Sequence, residues 1–342
     1  MRQLVFRALD RARVVLATLC CFALQSCGPR ASTDRDHLLE ESTSELNEDE
    51  PINPIPLDAN VDAVRAALGE ALFRDSTLSE DGKVACADCH FSDRGLSDGK
   101  SKSKLVDRPE TLTNSTSLFN VRYLYRLTWA AKFEDLEAHL DALIKEPKVM
   151  RTSWQKASDR LARKGDWKER FAAAYPEGLT PKNVRAALLE YERSLVTPNA
   201  PFDRWLRGDE DAIGEQAKAG YALFKSFGCI SCHQGTAVGG NLLQRFGVMR
   251  DYFSDRGNVQ PGDLGRFNVT QHPEDRHVFR VPSLRNVALT APYFHDGSAP
   301  TLDVAVKVMA RYQLGRELSD DDVRAIVSFL GSLTGEYRGK PL

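Results

Sequence analysis

The sequence predicts an all-α protein made of two tandem units. Three observations carry this. The run Cys86-Ala87-Asp88-Cys89-His90 recurs as Cys229-Ile230-Ser231-Cys232-His233. Apolar residues around these runs repeat three and four positions apart, the spacing of one helix face. No stretch alternates as a half-buried strand would. The C-x-x-C-H run is the attachment signature of a c-type haem: each thiol forms a thioether to the porphyrin, and the adjacent histidine ligates the iron. With 7 Cys and 7 His in 342 residues, chance would place roughly 0.003 such runs. A zinc knuckle or redox dithiol shares the C-x-x-C spacing. Zinc, however, needs further thiol or imidazole ligands, and no third cysteine accompanies either pair. At roughly 150 residues per domain the length allows about two. The expected architecture is two tandem cytochrome-c-like domains, each with one covalent haem c.

The N-terminus reads as a targeting segment. Arg2, Arg7, Arg11 and Arg13 give a basic start, and Val14 to Leu24 is apolar but short for a bilayer span. Leu24-Gln25-Ser26-Cys27, then Gly28, resembles a bacterial lipobox, in which cleavage would leave a lipidated Cys27. Residues 1–26 are therefore read as a lipoprotein-type signal peptide. Ordinary secretion is the competing reading, because Gln25 departs from the usual small or apolar residue. Cys20 and Cys21 leave with the signal, Cys27 takes lipid and four cysteines take haem, so none remains for a disulfide. Residues 34–50 hold eight acids against one base, and 27–56 read as an acidic, proline-containing tether. The expectation is a periplasmic protein anchored to the outer membrane through its N-terminal lipid only. A net charge of −2 gives no ground for nucleic-acid binding.

Along the chain, Asn60 is placed to cap a helix with the stripe Val61, Val64, Leu68 and Leu72. Turn residues around Gly82 lead into the first haem motif, and Ser92 to Ser117 is polar and loop-like. Residues 134–145 read as a helix with Leu136, Leu140, Leu143 and Ile144 inward, and His139 falls on that side. Thr180-Pro181 opens a helix carrying Val184, Leu188, Tyr191 and Leu195, which Pro198 ends. Pro198 to Arg207 is the expected link between an N-terminal domain (57–198) and a C-terminal one (199–342). A helix over about 214–227 delivers the second motif, and 235–265 is a glycine-rich loop region. Thr301 caps a helix with Leu302, Ala305, Val306 and Met309 on one face. Ser319-Asp320-Asp321-Asp322 opens the last helix, with Val323, Ile326, Val327, Leu330 and Leu333 in register.

Reducing hydrogen peroxide to water takes two electrons, and two haems with different axial ligands can store them. A thioether ligand raises a haem's potential relative to imidazole or water. Outside the leader the methionines are Met150, Met249 and Met309. Met309 lies on an apolar helix face after the second motif, a position that suits core filling as well as ligation. Trp129, between the motifs, can relay an electron or be a plain core tryptophan. His139 can be a satisfied core histidine or face a haem.

From about Leu57 to Leu333 the chain resembles the bacterial dihaem cytochrome c peroxidase family, which includes MauG. The resemblance is carried by Leu72-Phe73-Arg74-Asp75, Leu78-Ser79, Pro201-Phe202-Asp203-Arg204 and both haem motifs. Its strongest stretch is Phe279-Arg280-Val281-Pro282-Ser283-Leu284-Arg285-Asn286, continuing through Ala291-Pro292-Tyr293-Phe294-His295-Asp296-Gly297. Ala305 to Met309 and Gln313-Leu314-Gly315 complete it. The family implies a peroxidatic N-terminal haem ligated by His90 and a high-potential C-terminal haem ligated by His233 and Met309. MauG-like members have tyrosine at the Met309 position, so this chain resembles the electron-accepting branch. Trp129 falls at the family's inter-haem tryptophan. A calcium ion is implied between the domains, on the Asn114 side chain and the carbonyls of Thr290 and Pro292, oxygen donors that suit it.

The N-terminal site departs from the family pattern. Gap-free alignment puts Val106 at the displaceable distal histidine, Val149 at the distal glutamate and His139 at a glutamine. Ala130-Ala131-Lys132 replaces Asp-Gly-Arg. Valine can neither take nor give a proton, and losing an acid–base group costs about 10²–10⁴-fold in rate. His139 is the candidate to take over, as distal acid–base or as sixth iron ligand. The resemblance implies a peroxidase drawing electrons from a small cytochrome c or cupredoxin and, by analogy, a homodimer. A MauG-like enzyme oxidising residues of a partner protein, or a non-catalytic dihaem electron carrier, are the alternatives.

Overall fold

The computed structural model describes residues 50–342 except Val106 and Arg108. The leader, Cys27 and Val106 therefore lie outside the described residues. The chain is helix-rich with little sheet. Its helices are α1 (Ala63–Phe73), α2 (Leu136–Leu143), α3 (Trp154–Leu161), α4 (Trp167–Ala174), α5 (Pro181–Ser194), α6 (Pro201–Leu206), α7 (Glu215–Ser226), α8 (Tyr252–Arg256), α9 (Phe267–Thr270), α10 (Leu302–Gln313) and α11 (Asp320–Gly331). No described helix is long and apolar enough to cross a membrane.

Local chemistry accounts for the helix starts. Thr180 accepts from the Asn183 N–H with Pro181 in the first turn, Thr301 accepts from Val304, and Ser319 and Asp322 cap each other reciprocally. Asn60 does not cap α1. Asp62 does, accepting from the N–H groups of Val64 and Arg65, and this start leaves Val64 61% exposed. The working stripe of α1 is Ala66, Leu68, Leu72 and Phe73.

Among the described residues the core forms a small buried cluster of Tyr252, Phe253 and Phe279 and two large ones. One gathers Leu68, Leu72, Phe73, Leu140, Phe171, Leu188 and Leu195, from α1, α2, α4 and α5 with the chain just beyond. The other gathers Phe202, Tyr221, Phe224, Ile326, Phe329 and Leu333, from α6, α7 and α11. Each is built on the same device. A β-carbon on Gly69 of α1 would meet the Ala187 carbonyl oxygen of α5 at 1.9 Å. One on Gly220 of α7 would meet the Ala325 oxygen of α11 at 1.9 Å. Only glycine allows these crossings, at roughly 1 kcal/mol of helix propensity each.

Several elements differ from the sequence expectation. Two short antiparallel ladders exist: β1 (Leu243–Arg245) with β2 (Val278–Arg280), and β3 (Glu336–Tyr337) with β4 (Lys340–Pro341). Three-residue and two-residue strands are too short to show alternation. Residues 50–56 are a packed strap. Ile52 and Ile55 are 1% and 0% exposed, and Glu50 accepts from Tyr221 and Lys225. The segment 198–207 is helical from Pro201, and Phe202 lies within the second cluster.

Candidate haem sites

Each C-x-x-C segment folds as one tight 3₁₀ turn, Cys86–Asp88 and Cys229–Ser231, closed by the N–H of the second cysteine on the carbonyl of the first at 3.2 Å. The turn gathers both thiols and the following histidine at one place. None of the four cysteines is in a disulfide. Burial pushes the Cys86 thiol up to about 12, and Cys89 and Cys229 to about 11. Neutral thiols are poor soft-metal ligands and poor redox nucleophiles. Among the described residues, the group with metal-binding spacing is Asp263, His295 and Asp296, and it contains no cysteine. Neither C-x-x-C pair thus finds, among the described residues, the further ligands that a zinc site needs.

Both histidines are poised alike. His90 Nδ1 donates to the Leu96 carbonyl at 2.8 Å, and His233 Nδ1 faces the Val238 carbonyl at 3.4 Å. Committing Nδ1 to a carbonyl sets the tautomer and leaves the Nε2 lone pair for a metal. Burial lowers both, His233 to about 4. A phenylalanine from the preceding helix flanks each ring: Phe73 at 6.1 Å from His90 and Phe224 at 6.3 Å from His233.

The second site is a cavity. It is lined by Cys229, Cys232, His233 and Met309 and reaches Asn114 and Trp129. The α10 stripe read from sequence (Leu302, Ala305, Val306, Met309) lines this cavity; Leu302, Ala305 and Val306 also pack in or on the second cluster, and Met309 does not. The other methionines separate clearly: Met150 is 2% exposed in the first cluster, and Met249 is 60% exposed. A cofactor fits the site on an observation independent of its cysteines. Arg280 lines the cavity and is buried, its backbone N–H and Nε donate to the Trp129 and Thr128 carbonyls, and its Nη1 has no partner. Burial lowers its guanidinium to about 10. A buried cation with an idle N–H calls for an anion such as a haem propionate. Sequence reading missed this role, because nothing in the run Phe279-Arg280-Val281 marks the arginine as buried.

Trp129 Nε1 donates to Asn114 Oδ1 at 2.7 Å, and Asn114 Nδ2 donates to the carbonyls of Pro292 (3.3 Å) and Phe294 (2.8 Å). Two of the three expected calcium donors thus meet. The carboxamide turns its N–H groups, not its oxygen, toward those carbonyls, so a hard cation would require it to rotate. Thr290 lines the same cavity.

At the first site, His139 is half-buried on α2 with its ring 5.2 Å from Phe133. Burial, then the nearby His90 charge, then Lys132 hold it down to about 4, so it is a neutral imidazole above that pH. The electrostatic contact puts His139 beside the His90 motif. Val149 is partly buried against the first cluster in the turn after α2.

Two charged groups unassigned from sequence hold the second site together. Arg285 donates to Asp203 at 2.6 Å and to the carbonyls of Thr236 and Asn53, both at 2.9 Å. His295 Nε2 contacts Asp263 at 2.6 Å, and Arg256 bridges Asp263 and Asp296. Both carboxylates of that acidic group are thus already engaged by Arg256.

The family described as di-haem cytochrome c peroxidase matches residues 63–211. Cytochrome c peroxidase Ccp of Escherichia coli (strain K12) is 40% identical over 303 residues, which is 88% of this chain and 65% of that one. The chain therefore spans about two thirds of that relative's length. Cytochrome c551 peroxidase of Nitrosomonas europaea is 38% identical over 288 residues, covering 84% of this chain and 85% of the relative. The crystal structure of a MauG-like protein associated with microbial copper homeostasis superposes with a TM-score of 0.73 at 25% identity, covering 85% and 95%. Paired C-x-x-C-H turns, a helix-rich fold and similarity to such relatives over more than four fifths of the chain give one conclusion: the chain belongs to the bacterial dihaem cytochrome c peroxidase and MauG family.

Proposed function

We propose that this protein is a dihaem peroxidase that reduces hydrogen peroxide with electrons from a small periplasmic cytochrome c or cupredoxin. The observation that carries the reading is the shared cavity of His233, Met309 and Trp129. It brings a thioether, an imidazole and an indole to one cavity. When bound there, haem supplies one-electron storage at a potential set by its axial ligands. His233 and Met309 would be those ligands, Arg280 would hold a propionate, and Trp129 would relay electrons. At the first site, Cys86 and Cys89 would carry the cofactor and His90 would ligate it. His139, neutral and beside His90, would take and return the proton that peroxide gives up, or close the sixth position. The two large clusters correspond in this reading to haem domains 57–198 and 199–342, with the strap 50–56 packed on the second.

Calcium on Asn114, Thr290 and Pro292, a lipid on Cys27, an outer-membrane periplasmic location and a homodimer belong to the same reading, and no step depends on them. Retention of a Cys27→Ser variant in the membrane fraction would refute the lipid anchor.

Val149 favours a second reading, a dihaem carrier with a closed first iron, since an apolar side chain at that position cannot assist peroxide. The deciding experiment is peroxide-dependent oxidation of ferrocytochrome c by the half-reduced and the fully oxidised protein. Turnover of roughly ten per second or more supports the peroxidase. No turnover in either state supports the carrier. Peroxide consumption by the oxidised form with the cytochrome untouched supports a MauG-like reaction.

A further inference from the structure

Glu192 is a buried acid on the helix that carries much of the first cluster. It lies on α5 four residues after Leu188, where the apolar stripe would place a hydrocarbon, and it is 5% exposed. Its Oε2 has no hydrogen-bond partner. It stands close enough to Cys86 to be the strongest influence on that thiol after burial itself. The adjacent Tyr191 packs on Phe73 at 5.1 Å, and Phe73 packs on His90.

On the elements packed against α5, His139 of α2 lies against Phe133, and the following charged groups are engaged elsewhere. On α1, Glu70 is held by Arg74 and Arg338, and Arg65 by Asp62. On α2, Glu137 and Asp141 are held by Arg185. On α3, Arg160 donates to the carbonyls of Thr77 and Leu78. In the 121–123 turn, Arg122 donates to the carbonyls of Ala59 and Arg193. The side-chain charge that acts on Glu192 is Arg193, its neighbour on the helix. A buried carboxyl with an idle oxygen, beside the thiol that would bind a redox cofactor, has a chemical use.

We propose that Glu192 is the proton-coupling group of the redox centre attached through Cys86 and Cys89, taking up a proton when that centre gains an electron and releasing it when the electron leaves. The inference rests on the reading that a haem is attached there. Its balance is simple. One electron comes from the external one-electron donor, one proton comes from solvent, and the O–H bond on Glu192 is the bond made. Reoxidation breaks it. The cause is electrostatic: reduction removes one positive charge from a region of low dielectric, so the adjacent carboxylate is best neutralised by a proton. Burial already pushes this carboxyl up to about 8, so the exchange falls in an accessible pH range. Glu192 acts through the haem and is a positioning residue of its charge, not a catalytic one.

The test is a potentiometric titration of the Cys86-attached haem in the full two-haem protein from about pH 6 to 10, followed optically. Once pH passes the oxidised-state value of Glu192, the potential should fall by one proton per electron. That is a tenfold change in the redox equilibrium per pH unit, or about 59 mV. Glu192→Gln, which mimics the neutral acid, should abolish that fall. Haem propionates titrate in both proteins, so the difference isolates Glu192. An infrared redox difference spectrum of the wild type should gain a protonated-carboxyl band on reduction, which keeps the test open if the variant does not fold. A flat wild-type profile, a Glu192→Gln profile as steep as the wild type's, or a missing carboxyl band would overturn the inference. A protein with no haem on Cys86 would overturn the underlying reading as well, and its spectrum would show that directly.

Discussion

Replacing Arg285 with alanine should be among the most damaging single changes in the second half of the chain. Its side chain and that of Asp203 are 1% and 0% exposed. The guanidinium joins three separate segments: Asp203 on α6, Thr236 just after the second haem motif, and Asn53 in the strap. Removing it leaves a carboxylate buried without its partner, which costs about 3–5 kcal/mol. Arg207 is near enough to Asp203 to feel its charge and should keep the loss toward the lower end. Against a typical total of about 5–15 kcal/mol, that is a large fraction. At roughly 2–4 °C per kcal/mol for a chain of this size, Tm should drop by about 10 °C. The assay is thermal and urea unfolding at equal haem loading, extended to a double-mutant cycle. Asp203→Leu with Arg285→Met removes both charges, and its cost should be well below the sum of the single changes. A single-variant loss under about 1 kcal/mol, or strict additivity, would refute the reasoning.

His139→Ala should change the spectrum of the first haem, cut peroxide turnover by about 10²–10⁴-fold, or do both. An unchanged spectrum with unchanged turnover would remove His139 from the mechanism. Met309→His should lower the potential of the second haem by tenths of a volt, within the range of about 0.8 V that axial ligands span. Redox titration showing no change would return Met309 to core packing. Glu192 also makes stability depend on pH. Its carboxyl moves from the ordinary 4.5 to about 8 on folding, so the folded chain binds the extra proton and stability falls as pH rises between those values. The ceiling of that loss is about 5 kcal/mol. Glu192→Gln should match the wild type near pH 4.5 and exceed it above 8, and parallel unfolding curves across that range would contradict this. Calcium at a hundred times its Kd should stabilise the protein by about 2.7 kcal/mol, and an unmoved Tm on adding calcium or chelator would remove the ion from the reading.

What the sequence made legible is local. Two C-x-x-C-H runs fold as two equivalent turns because the spacing sets the geometry. Thr180, Thr301 and Ser319 could be read as caps because a cap is decided within three residues. The α10 stripe was legible as a face, but whether Met309 met core or cavity depended on what lay opposite. The misreading at Asn60 shows the limit, since Asp62 two positions on makes the same kind of bond and wins. α3 and α4, at eight residues each, have too few turns to declare a period. Burial of Arg280, Arg285 and Asp203 depends on partners far away in the chain, and charge alone argues for the surface. Glu192 was passed over in the sequence, although an acid four residues after Leu188 on an apolar stripe is a visible anomaly.

The glycine crossings have a consequence for assembly. Gly69 against Ala187 and Gly220 against Ala325 each tie together positions more than a hundred residues apart. Each haem motif lies inside the loop that its crossing closes. During synthesis the first loop can shut once α5 has emerged, while the second stays open until α11 is made. The loops around the two C-x-x-C-H motifs can therefore close one after the other, in the order of the chain, and each is locked by a contact in which a single methyl group would not fit.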